Sequence, residues 1–119
     1  MDLTISQMMQ MQQELFELRK DKWSPMEPEY GKDFILYMVE EIGETIAILK
    51  KKGCGAVLSD PEVRAAFLEE MADVLMYYND VLLRFHVTSD EFSQAYQEKH
   101  IRNMGRNFTQ EYKKLYYNG

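Results

Sequence analysis

The chain is poor in residues that interrupt helices. Six glycines and three prolines are spread over 119 positions, too few to punctuate many short strands. Cysteine is almost missing as well. The single Cys54 excludes an internal disulfide and fits a reducing compartment. No apolar run approaches the roughly 20 residues that a membrane-spanning helix requires. The first residues offer acids and glutamines where a secretory signal carries a basic block and then an apolar one. Positive charge is in the minority, with 14 Lys and Arg against 20 Asp and Glu and a net charge of −6. Such a chain is a poor generic ligand for nucleic-acid polymers, whose phosphates must be met by clustered cations. These shortages predict a cytoplasmic protein with neither a membrane nor a nucleic-acid polymer as partner.

What fills the space is Met, Leu, Glu, Gln and Lys, all good helix formers. Hydrophobic residues make up 45% of the chain, enough for one packed domain over residues 1–119. Four main helices are predicted, most simply as an antiparallel all-α bundle. The first starts near Thr4, where Thr4-Ile5-Ser6-Gln7 matches a capping box, and runs to about Lys20. A loop with Pro25, Pro28 and Gly31 follows. The second spans about Asp33 to Lys52 and ends on three lysines and Gly53, which suit the helix dipole and a left-handed cap. Asp60-Pro61 opens the third, which reaches Phe85 or His86. Thr88-Ser89-Asp90-Glu91 opens the fourth, and Gly105 stops it. The tail after it has the composition for one or two further turns.

The carboxylates are unusually placed. In the second helix the apolar stripe is Ile35, Met38, Val39, Ile42, Ile46 and Leu49. Glu41 and Glu44, three residues apart and therefore neighbours, lie off that stripe with Tyr37 and Ile48. In the third helix the stripe is Val63, Phe67, Val74, Tyr78, Val81 and Phe85, and Glu70 falls within it, with Asp73 at its edge. A glutamate on an apolar face needs a partner, because an isolated buried carboxylate is costly to desolvate. Arg64 and Arg84 are too far along the helix to serve. If the second and third helices pack antiparallel, the two acid pairs meet, and four carboxylates in one place call for a hard divalent cation. Mg²⁺ is the first choice, with Mn²⁺ as the other candidate. A di-iron carboxylate bundle is excluded by spacing, because neither His86 nor His100 has a glutamate three residues earlier.

The motif Glu40-Glu41-Ile42-Gly43-Glu44 followed by Glu70-Met71-Ala72-Asp73 resembles the MazG-like all-α nucleoside triphosphate pyrophosphohydrolases, over roughly residues 4 to 106. The resemblance implies Mg²⁺ ligands at Glu41, Glu44, Glu70 and Asp73, and Glu40 or Glu44 as the group that orients or deprotonates the attacking water. It also implies that Lys99, Asn103 and Arg106, which look like the family's KxxxNxxR segment, contact phosphate. Trp23 would stack on the base. The implied activity is hydrolysis of a nucleoside triphosphate to monophosphate and pyrophosphate, in nucleotide-pool sanitation. The implied assembly is a homodimer or homotetramer. The Met-rich first helix and Tyr116 and Tyr117 offer apolar surface for that contact. Lys50-Lys51-Lys52 stand where relatives that bind dCTP carry an aromatic residue. Two other readings stay open: a non-catalytic helical module that binds nucleotide or partner helices around a structural metal clamp, and a phosphoribosyl-ATP pyrophosphatase.

Overall fold

The computed structural model describes residues 1–106 and 114–115. Among these residues there are five α-helices, one 3₁₀ turn and no strand. The helices are α1 (Ile5–Arg19), α2 (Gly31–Lys52), α3 (Cys54–Ser59), α4 (Pro61–Arg84) and α5 (Ser89–Gly105), with the 3₁₀ turn at Pro28–Tyr30 ahead of α2. The first four helices belong to one compact unit, Met1–Thr88, and α5 opens a second, Ser89–Gly119. No helix of the described residues is long and apolar enough to cross a membrane. Tyr116, Tyr117 and most of the tail lie outside the described residues.

The helix ends follow the local chemistry. Thr4 Oγ1 accepts from the Gln7 amide at 3.1 Å, and Gln7 Oε1 accepts from the Thr4 amide at 2.7 Å, closing the capping box. Asp60 Oδ1 accepts from the amides of Glu62 and Val63, with Pro61 in the first turn of α4. α2 ends at Gly53, whose φ of 87° lies where a side chain would be strained. The chain then makes the short helix α3, which is not among the four predicted helices; six residues are too few to display a period. The start of α2 is also earlier than expected. Gly31 already lies in the helix, and a Cβ built on it would run into the Phe85 ring, so this glycine permits a close approach.

α4 stops in a Schellman arrangement. The Val87 amide donates to Leu82 O at 2.9 Å and the His86 amide to Leu83 O at 3.0 Å. His86 holds the left-handed position, with φ 56°. Glycine occupies that conformation without steric cost. Replacing His86 with glycine is therefore expected to raise stability by about 1 kcal/mol, read from thermal or urea unfolding; a loss of stability would contradict the cap assignment.

α2 and α4 run antiparallel, since Phe34 meets Tyr77 at one end and Glu41 faces Glu70 further along. α1 and α3 both lie against α4. Among the described residues the buried apolar side chains are few: Met9, Phe16, Phe34, Val57 and Val63. The face that α2 turns to α4 corrects the sequence expectation. It carries Phe34, Glu41 and Thr45, whereas Ile35, Val39, Ile42 and Ile46 of the expected core stripe are 41–55% exposed. On α4, Val63 is buried as expected, but Tyr78 and Phe85 are largely exposed while Asp80 and Arg84 are fully buried. The two charges offset each other as an ion pair, although Arg84 Nη2 has no acceptor among the described residues.

Candidate metal centre

The acids from the two helices converge. One carboxylate oxygen from each of Glu41, Glu44 and Glu70 lies within 4.8 Å of the others. Helical spacing explains the set. Glu41 and Glu44 project from neighbouring positions of α2, and the antiparallel packing delivers Glu70 of α4 opposite them. Asp73, one turn beyond Glu70, is outside this close trio but is near enough that its charge acts on Glu41. Glu40 is exposed and does not belong to the trio either.

The electrostatics show the strain of the arrangement. Glu70 is pushed up to about 7, chiefly because its protonated form is hydrogen-bonded to Glu41 and Glu44, with desolvation and the negative charges of both adding to the effect. Glu41 is also raised. The hydrogen bond from Glu70 favours its charged form, but desolvation and repulsion from Glu44 and Asp73 outweigh that. With all three carboxylates charged, Glu41 Oε2 and Glu70 Oε2 are shielded from water and have no hydrogen-bond donor among the described residues. Two orphaned oxygens among three converging carboxylates fit a hard cation with oxygen ligands.

Beside the trio lies a cavity of about 450 Å³, lined by Glu41 and Asp73 on one side and by aromatic and polar groups on the other. That volume falls in the roughly 300–1,000 Å³ range of small-molecule sites. Trp23 of the loop after α1 lines it, as do Phe34, Tyr37 and Tyr77, whose ring centroids lie 5.2–6.2 Å apart. The Tyr77 hydroxyl is raised by desolvation first and then by the acids around it, led by Glu41 and Asp73.

Behind the cavity, the Arg84 guanidinium is fully buried. Its Nε donates to Asp80 Oδ1, its Nη1 donates to the carbonyls of Ser24 and Pro25, and its plane lies 3.6 Å from the Phe34 ring centroid. Asp80 also accepts from Gln12 Nε2 of α1 at 3.5 Å. Sequence reasoning missed Gln12, Tyr77, Asp80 and Arg84. A signal existed: Asp73, Tyr77, Asp80 and Arg84 recur at helical spacing on one polar face of α4.

The remaining expected residues lie in the second unit. Lys99 and Asn103 are exposed on α5, one turn apart, and Arg106 follows the helix end, its Nη1 donating to Asn103 Oδ1 at 3.3 Å. Comparison of the chain with protein-family models, with curated proteins and with solved structures gives no match.

Proposed function

We propose that the protein is a Mg²⁺-dependent nucleoside triphosphate pyrophosphohydrolase of MazG-like type, cleaving the α–β anhydride to give a monophosphate and pyrophosphate. The observation that carries this reading is the convergence of Glu41, Glu44 and Glu70 from antiparallel helices, with two carboxylate oxygens that have no donor among the described residues. Glu41, Glu44 and Glu70 would hold the cation, with Asp73 as a fourth ligand from the neighbouring turn. A divalent cation bound there would polarise phosphate oxygens and lower the pKa of a bound water. Glu44, exposed at the rim of the trio, and Glu40 beside it are the candidates to take the proton of the attacking water. The aromatic wall around Trp23 suits a planar base, and Lys22, which lines the same cavity, adds a positive charge. Lys99 and Arg106 carry the kind of charge that a departing pyrophosphate requires. The test is to incubate the protein with each deoxynucleoside triphosphate and Mg²⁺ and to quantify pyrophosphate; no release from any of them would overturn the proposal.

The same reading includes self-association. The exposed stripe Ile35, Val39, Ile42 and Ile46 forms a continuous apolar face along α2, of the kind that marks an interaction surface. Light scattering at micromolar concentration is expected to show a dimer or tetramer, and Ile46→Glu to shift it to monomer. A monomeric wild type would contradict this assembly.

A further inference from the structure

One buried cation organises both walls of the cavity. Arg84 draws the carbonyls of Ser24 and Pro25 inward and so fixes the loop that carries Trp23. Through Asp80 it also fixes Gln12, which is 7% exposed and lines the same cavity. The chemistry of this relay has a direction. Asp80, ion-paired to Arg84, only accepts hydrogen bonds, so the Gln12 amide must turn its NH₂ group toward it. The Gln12 amide oxygen is then left on the side away from Asp80. We propose that Gln12 is a specificity residue that presents this oxygen to a ligand in the cavity and selects bases bearing an exocyclic amino group, of the cytosine or adenine type. Uracil and thymine carry a carbonyl at the corresponding position, which would set oxygen against oxygen. Asp80 and Arg84 act through Gln12 and the Trp23 loop, and are positioning residues. The inference rests on the reading that the ligand is a nucleotide, but not on its hydrolysis.

Trp23 is the only tryptophan, so its indole N–H gives a single resonance that reports on the cavity wall. Neutral nucleosides avoid any dependence on metal. Deoxycytidine is expected to shift that resonance with a dissociation constant about tenfold below that of deoxyuridine, the size of effect that an unmatched buried acceptor produces. In Gln12→Met the ratio is expected to fall to within about twofold. Should that variant fail to fold, Gln12→Leu serves the same purpose, because it removes the amide oxygen and leaves the buried Asp80–Arg84 pair intact; the ratio should fall there too. Equal binding of the two nucleosides by the wild type, an unchanged ratio in the folded variant, or no shift with either nucleoside would overturn the inference. Selective nucleoside binding without pyrophosphate release would retire the enzymatic proposal and leave this one standing. Turnover without base preference would retire this one alone.

Discussion

Glu70→Gln is expected to slow pyrophosphate release by at least about a hundredfold, the scale of losing one preorganised charged group from such a site. It is expected at the same time to make the metal-free protein more stable at neutral pH. Both effects have one origin. In the folded chain Glu70 keeps a proton up to about pH 7, whereas an unperturbed glutamate releases it near 4.5. Between these values the folded state therefore binds more protons than the unfolded state, and stability falls as pH rises. The contribution is fully present below about pH 4.5 and is lost by the time the pH has passed about 7. Glutamine cannot ionise, so thermal unfolding in EDTA should show a flatter decline across that window for the variant. Glu41, raised in the same direction, leaves a residual slope. Mg²⁺ should reverse the ranking, because it needs the deprotonated trio and stabilises only the wild type strongly. Its affinity should weaken as the pH drops below about 7. Undiminished turnover by the variant, or a steeper decline in EDTA, would reject the account.

The second large effect concerns stability alone. Arg84→Leu is expected to cost about 3–5 kcal/mol, because Asp80 would remain as a buried charge with its cation gone. The carbonyls of Ser24 and Pro25 would lose their donor as well, and Phe34 its stacked guanidinium. For a chain of this size the melting temperature should drop on the order of 10–20 °C. The double variant Arg84→Leu with Asp80→Leu is expected to recover much of the loss, since an apolar pair removes the orphaned charge. A single variant within about 1 kcal/mol of wild type would mean that water reaches this pair and that the burial argument fails.

How much of this was legible in the sequence depends on whether the controlling interaction was local. The capping box at Thr4, the Asp60-Pro61 start and the end of α2 at Gly53 involve neighbours in the chain and appear as read, except that Gly53, with φ 87° and ψ 154°, has an extended ψ rather than a left-handed helical one. The meeting of Glu41 and Glu44 with Glu70 was also readable, because Glu70 interrupts an apolar stripe and demands something opposite it. The packing face of α2 was not. Two stripes along that helix compete, and hydropathy does not say which one its own chain covers. The more apolar stripe stayed outside, and the half-polar one, with its glutamates, went against α4. Asp80 and Arg84 escaped for a related reason. Four residues apart, they look like an ordinary surface ion pair, and only the approach of α1 and of the Ser24–Pro25 loop seals them from water. α3 was too short to announce itself.

The two arms of the acid trio both lie within Gly31–Arg84, a helical hairpin whose connection is α3. Closing it requires no strand pairing, only the packing of α2 against α4. That closure gathers mutually repelling carboxylates at the seam. The chain accepts electrostatic frustration at the seam of this hairpin, with apolar residues such as Val63 and Val57 at the linker end and the Phe34–Tyr77 pair at the other to hold it shut.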